Sequence, residues 1–330
     1  MSEFNERGAV FTPAETSALG VEHIKEVEAN KHRAMPLDIG KIGDYLAPLM
    51  PGELCAIQAQ TSNYKSGFIN MWEHSLAHHL KMQGRADEVI IHVDTESTIE
   101  GLAVQEIARG SDHTIADLSR GNVRDWSKVI KAAGQIATVN IYRIGAALGR
   151  DDMPDLYLSN IYRAIRYMTD GELIDQKLIP ACIFVDYLQA LPIDPEVKTA
   201  NKKDQRRLQV RDDVYRLRRM ANYFKCPVVV GVQAKQNLSG HTGPNMRIPG
   251  TYDGEETSAI AQRFDRVISM WMPKTTHTVG EALTHRSISF DVDEDMIWIK
   301  VCKQRGGLPA GKAWPCRIDY RTNQIALAVL

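Results

Sequence analysis

The sequence predicts an α/β fold built on a largely parallel sheet, and three observations carry the prediction. Apolar runs of strand length recur at Glu88–Val93, Val139–Ile144, Ala181–Asp186, Cys226–Val232 and Arg266–Met272. Stretches with apolar residues at helical spacing fall between them: Ile69, Trp72, Leu76 and Leu80; then Ile161 and Ile165; then Val210, Val214, Leu217, Ala221 and Phe224. Strands that alternate with helices wind into βαβ units, whose sheets are parallel and buried on both faces. Two of the runs also end on a polar residue, Asp186 and Gln233. In open α/β sheets the strand carboxyl ends are where ligands bind.

Residues 1–34 read as an extension of the main domain. Residues 1–20 carry Gly, Pro, Ser and Thr with little periodicity and suggest a mobile arm. Val21–Ala34 is charged and helix-favouring, with few apolar positions. A short helix of that kind does not stabilise itself. It either frays on the surface or docks on a neighbour. Residues 35–330 make the domain proper. Pro51-Gly52-Glu53-Leu54 turns into the first strand, and Thr61-Ser62-Asn63-Tyr64-Lys65-Ser66-Gly67 follows it. The phosphate-loop pattern is G-x-x-x-x-G-K-S/T. Lys65 and Ser66 are in register with it, while Ala59 and Tyr64 stand at the two glycine positions. Successive backbone N–H groups and the N-terminus of the next helix, starting near Ser66, still suit phosphate. Tyr64 is strained if its place requires a positive φ.

The counterpart of such a loop is an acid at the end of a buried strand, and Asp186 ends Ala-Cys-Ile-Phe-Val-Asp. In nucleotide hydrolases such an acid holds magnesium, often through water; otherwise it caps the next turn. The order and content of the motifs, from about residue 35 to 325, resemble the RecA-like motor domain of DnaB-type replicative helicases. Asp186-Tyr187-Leu188-Gln189 looks like that family's signature after the magnesium strand, and Cys302-Lys303-Gln304-Arg305-Gly306-Gly307 is similar to its late Lys-x-Arg-x-Gly motif. The resemblance implies a RecA-like P-loop NTPase core: a mostly parallel twisted sheet flanked by helices, with an antiparallel C-terminal edge. It implies ATP and Mg2+, with Lys65 and the loop amides on the phosphates and Ser66 and Asp186 on the metal. It also implies a homo-oligomer, a hexameric ring, on single-stranded DNA, with replication or mobile-element proteins as further partners.

The remaining elements follow in order. Asp94-Thr95-Glu96-Ser97 lies past the second strand. The family's catalytic glutamate falls at Glu96 by register, where it would orient and polarise the attacking water. Asp94 is the rival, closer to the strand end and suited to cap a helix over Ser97–Ala108. Residues 110–135 read as helices and turns. Pro192–Gln205 is polar and carries Lys198, Lys202 and Lys203, as a surface linker or as a contact for phosphate backbone. Gln233 matches the family's γ-phosphate sensor, and residues 236–254 read as a long loop. Glu255–Gln262 resembles the family's DNA-tracking loop, with Glu256, Thr257 and Ser258 as candidate contacts. Glu255 stands where the family has arginine, and an acid facing a phosphate costs affinity. Ser287–Val292 and Met296–Val301 alternate apolar with polar and predict an antiparallel pair turning at Asp293-Glu294-Asp295. Lys303 and Arg305 match the family's pair that reaches an adjacent subunit's nucleotide; otherwise they are two solvated cations on a turn. An arginine fork suits charge spread over a transferring phosphoryl group. Trp314–Tyr320 is the closing strand.

Composition bounds the rest. The 330 residues are 44% hydrophobic and 25% charged, which suits one large domain with a short extension. A formal net charge of −1 gives no global basic field, although a basic lining inside a ring would vanish in that sum. The five cysteines are scattered without CxxC spacing, as buried thiols in a reducing compartment are. His74 and His78 are four apart, which permits a metal pair, but with no acid in register a packed or solvated face is the simpler reading. No apolar stretch nears 18 residues and no signal peptide is seen, so a soluble, cytoplasmic protein is expected. Three functions stay open: an ATP-driven helicase or translocase; a nucleotide-dependent scaffold or switch that binds nucleic acid or protein without unwinding; and a RecA- or KaiC-like recombination or regulatory ATPase, against which the Asp186-Tyr187-Leu188-Gln189 run and the Lys-x-Arg motif argue.

Overall fold

The computed structural model describes residues 11–150, 154–173, 176–194, 202–236, 248–255, 259–285, 288–306 and 308–328. Helix α1 (Pro13–Ala29) is followed by α2 (Gly40–Tyr45), β1 (Leu54–Ala59), α3 (Lys65–Met82), β2 (Glu88–Thr98) and α4 (Ile99–Ser111). Next come α5 (Ile115–Ser119), α6 (Trp126–Ile136), β3 (Ile141–Ala146), α7 (Leu158–Thr169), β4 (Ile179–Asp186), α8 (Lys202–Phe224) and β5 (Val228–Gln233). The last part holds α9 (Ala259–Arg263), β6 (Arg266–Trp271), β7 (Ala282–His285), β8 (Ile288–Asp291), β9 (Met296–Gln304), β10 (Ala313–Asp319) and β11 (Gln324–Leu327).

Nine strands form one sheet in the order β11-β10-β9-β6-β1-β5-β4-β2-β3. The six from β6 to β3 run parallel, and β9, β10 and β11 continue the sheet antiparallel. The central strands are buried on both faces, as parallel strands must be. On one face α3 lays Phe68, Trp72, Leu76 and Leu80 against Ile57, Phe184 and Val229. On the other, α7 and α8 pack Ile161, Ile165, Val214, Leu217 and Ala221 against Val185 and Val230. Because β1, β2, β4 and β5 are parallel neighbours, their carboxyl ends share one edge, and the four segments that leave it carry the candidate site.

The structure corrects four sequence expectations. The first helix starts at Pro13, not Val21. Thr12 caps it, with Glu15 N donating to Thr12 Oγ1 at 3.3 Å and Thr12 N to a Glu15 carboxylate oxygen at 2.7 Å. That capping box sits in the Thr-Pro-Ala-Glu run that read as a loose arm. The expected pair of residues 287–292 with 296–301 does not form. β8 pairs with β7 in a separate two-stranded sheet, while β9 inserts between β6 and β10. Alternation marks a half-buried strand without naming its neighbour, and Trp271, Phe290 and Trp298 fill a satellite core where the two sheets meet. The closing strand is β11, not β10. Finally, α4 is capped by Thr98, whose Oγ1 accepts from Gly101 N, and not by Asp94.

Candidate nucleotide site

The loop after β1 adopts the left-handed backbone that glycine usually supplies. Ser62 and Tyr64 both have φ of 63°. Such a place costs a non-glycine residue roughly 1–2 kcal/mol. Tyr64 is held there by its own side chain. The ring lies over Gly67, where a Cβ would sit 2.5 Å from it, so only glycine fits beneath. Its hydroxyl donates to Asn323 Oδ1 on the β10–β11 turn. Tyr320 meets the ring edge-on, with centroids 5.6 Å apart. Asn323 also donates to Gly67 O at 3.1 Å and to Asn70 Oδ1 at 3.2 Å. Asn63 is buried, accepts from Met272 N at 2.6 Å and donates to Thr61 O at 3.0 Å. Its side chain therefore ties the loop to β6, and only its backbone is left to face a phosphate.

Lys65 opens α3 and its Nζ lies 3.3 Å from Asp186 Oδ1 and 3.4 Å from the centre of the Tyr187 ring. Burial pulls the Lys65 ammonium below the ordinary lysine range, and the carboxylates of Asp186, Glu96 and Asp94 oppose that pull. Gly231 on β5 makes room for the acid, since a Cβ there would meet Asp186 Oδ1 at 2.8 Å. Asp186 Oδ1 is buried and meets the Lys65 ammonium, with no backbone or neutral side-chain donor on it. A buried carboxylate oxygen whose one partner is the Lys65 ammonium, with the exposed Ser66 hydroxyl following Lys65 on the first turn of α3, is an oxygen donor set that suits a hard divalent cation.

The ends of β2 and β5 complete this edge. Glu96 is exposed, and its charge is felt by both Lys65 and the Tyr187 phenol. Asp94 is buried beside it, with Oδ1 accepting from Glu96 N at 2.8 Å and Ser97 N at 2.6 Å. Burial alone would raise Asp94, but His92 and those two N–H groups hold its carboxyl below the usual range. Thr95 Oγ1 donates to Asp186 O at 2.9 Å and accepts from Tyr187 N at 3.1 Å, which ties the β2 and β4 ends together. Gln233 Nε2 donates to Thr61 Oγ1 at 2.9 Å, so the amide touches the phosphate loop. Gln189 Oε1 accepts from Gln233 N at 3.0 Å and fixes it.

The other sequence candidates lie elsewhere. Lys303 Nζ donates to Ala261 O at 2.6 Å, and Arg305 sits 3.4 Å from Asp265 with a further bond to Gln262 O. Both cations are thus held at the end of α9 and not at this chain's own loop. Lys198, Glu256, Thr257 and Ser258 fall outside the described residues. Lys202 and Lys203 begin α8, and their side chains are likewise outside them. His74 does gain an acid, Glu106 at 3.3 Å from α4, a partner no register on α3 could announce. Among the described residues no cluster of His, Cys, Asp or Glu could hold a metal by itself. Sequence reasoning missed Asn323, Thr95 and the role of Gln189, which was visible only as part of a motif. It also missed His92, whose signal was an ionisable side chain inside an apolar strand.

The fold and the loop–acid pair define a phosphate-loop nucleoside-triphosphatase core of the RecA-like class. The chain belongs to the DnaB-like helicase C-terminal domain family, whose model matches residues 35–313, and so to the helicase ATPases. Among solved structures it is similar to the ATPase domain of G40P, with a TM-score of 0.70 and 15% identity over 97% of this chain and 100% of that one. It is also similar to a DnaB-like replicative helicase described with its interactions with primase, with a TM-score of 0.67 and 15% identity. That match covers 93% of this chain but spans 66% of the other. At such identity both likenesses speak for the fold. No curated protein matches the chain in sequence.

Proposed function

We propose that the protein is an ATP-driven translocase on single-stranded DNA, working as a ring-shaped homo-oligomer, a hexamer, with composite ATPase sites. The observation that carries this reading is the meeting of Lys65 and Asp186 at 3.3 Å, with Glu96 and Gln233 on the same sheet edge. Lys65 and the amides of residues 61–67 bind the phosphates. Ser66 and Asp186 would hold Mg2+, which supplies charge neutralisation on the phosphate oxygens. Glu96, exposed at the edge, takes the proton of the attacking water. Gln233 senses the γ-phosphate and reports it through Thr61 and Gln189. Lys303 and Arg305 of one copy stabilise the transferring phosphoryl bound by the next.

Two features favour an assembly. Lys303 and Arg305 do not reach their own chain's loop, and α1 buries none of its residues. Leu19, Val21, Ile24 and Val27 of α1 are exposed, and a second copy is the natural cover for that face. Residues 198, 202–203 and 256–258 are the proposed contacts to DNA. A scaffold or switch that binds nucleotide without unwinding is the second reading, favoured by the exposed acid Glu255 beside that segment. ATPase rate with and without oligo-dT separates the two. Stimulation supports the motor, and tight nucleotide binding without turnover supports the switch. Lys65→Ala should abolish nucleotide binding under either; a variant that still binds ATP would end the assignment of the loop.

A further inference from the structure

Behind the sheet edge that presents Glu96 lies a buried ionic cluster that the proposed reaction leaves unused. Glu73 on α3 is fully buried, and His92 and Asp94 on β2 are nearly so. His92 Nδ1 bonds a Glu73 carboxylate oxygen, and His92 Nε2 faces Asp94 Oδ2 at 3.7 Å. Arg143 on β3 stands 3.7 Å from the other Glu73 oxygen and pairs with Glu106. Taking charges out of water costs several kcal/mol each, and well-packed apolar side chains of similar volume are often as stable. Stability alone therefore does not account for this cluster.

Its geometry does suggest a task. The imidazole ring stands between two carboxylates, hydrogen-bonded to Glu73 and at ion-pair distance, 3.7 Å, from Asp94, so its charge favours one turn of the Asp94 carboxylate. With Oδ2 on the ring, Oδ1 is aimed at the backbone, where it collects the N–H groups of Glu96 and Ser97. Those two peptides are the stretch that delivers Glu96. We propose that His92 and Asp94 are positioning residues for Glu96: the ring anchored on Glu73 orients Asp94, and Asp94 clamps the two peptides so that the Glu96 carboxylate stays on the Lys65–Asp186 side. The inference rests on the reading of Glu96 as the base. Burial would discharge the His92 ring, but Glu73 and Asp94 outweigh it and Arg143 opposes them only in part. The ring is held up at about 9 and stays an imidazolium at neutral pH.

The test uses the full chain, with ATP hydrolysis in the presence of oligo-dT, affinity for a non-hydrolysable ATP analogue, and thermal melting. Asp94→Ala removes the acceptor and should lower kcat by about 10²-fold, the cost of a misplaced catalytic group, with analogue affinity little changed. Asp94→Asn keeps an amide oxygen for both N–H groups but turns its NH2 toward the His92 imidazolium, so it should recover part of that loss and not all of it. His92→Gln should lower kcat by a smaller factor, again without a change in analogue affinity. The proposal is overturned if Asp94→Ala hydrolyses at the parent rate, if its kcat falls only as its affinity falls, or if folded Asp94→Asn is as slow as Asp94→Ala. Should Asp94→Ala not fold, an unchanged kcat in His92→Gln overturns it instead. Glu96→Gln tells the two readings apart. If Glu96→Gln is fully active, the base assignment falls and this inference with it. If Glu96→Gln is inactive and Asp94→Ala is fully active, only this inference falls.

Discussion

Lys65 is largely buried and held 3.3 Å from Asp186, whereas Arg305 is half exposed and held 3.4 Å from Asp265. Both are cations with an acidic partner, yet the two ends of the proposed centre are held in different ways. Lys65 meets Asp186 and Tyr187 at the end of β4, and the loop and strand ends around it are tied by neutral hydrogen bonds from β2, β5 and the β10–β11 turn. Around Arg305 the partners are one carboxylate and a carbonyl at the end of a five-residue helix. A buried, many-sided arrangement is preorganised and does not rearrange at small cost. An exposed pair is worth roughly 0–1 kcal/mol and exchanges readily for a better anion. The contrast suits a centre whose near half is built within one chain and whose far half is lent to a neighbour.

The largest expected effect breaks the comparison at its far end. Arg305→Ala should leave ATP binding near its parent value and lower turnover in the assembled protein by on the order of 10³-fold or more. Parallel measurements of analogue affinity and single-turnover hydrolysis read the two separately. Full ATPase activity in that variant would mean that the far half takes no part in the chemistry.

The near half should also reveal its buried charge through pH. Folding raises His92 from 6.5 to about 9, so the native state binds that proton more tightly than the unfolded chain. The associated stability is fully present below about 6.5 and is lost as pH rises through about 9. Its size is on the order of 3 kcal/mol for a displacement of that extent. The melting temperature should therefore fall across that window, and His92→Gln should flatten the fall whatever its own stability. An equally steep fall in His92→Gln would place the titrating group elsewhere.

How much of this was legible in the sequence depends on how local each feature is. Lys65, Ser66 and Asp186 lie in short motifs whose chemistry needs those residue types in that order, and the parallel sheet that joins them follows from alternation of strand and helix. The β10–β11 turn was not legible as part of the phosphate loop. Asn323 meets Tyr64 across more than 250 residues of chain, and an asparagine on a surface turn has no periodicity to announce a distant partner. The Glu73–His92 contact was hidden for the same reason, since Glu73 is one polar residue among several on α3 and neither α3 nor β2 names the other as its partner. β8 and β9 misled because a period of two reports burial and not pairing. Thr12 and Glu15 were readable as a capping box and were passed over in a stretch weak in apolar residues.

The smallest effect sharpens what holds the near half in place. Tyr64 occupies a backbone region that favours glycine, and the strain is offset by its ring on Gly67 and Tyr320 and by its hydroxyl on Asn323. Tyr64→Phe keeps the ring and removes one hydrogen bond, leaving Asn323 with its two remaining partners, Gly67 O and Asn70 Oδ1. The expected loss is about 1 kcal/mol of stability, read by denaturant melting, with ATP affinity almost unchanged. Asn323→Ala removes all three bonds at once and leaves the phenol and Gly67 O without their partner. It should cost more than Tyr64→Phe and weaken nucleotide binding with it, because Gly67 lies within the stretch proposed to bind phosphate. If instead the two variants are equally stable and equally avid, the turn merely rests against the loop. Rigidity of the near half would then come from β1 and α3 alone, through Asn63 and the burial of Lys65.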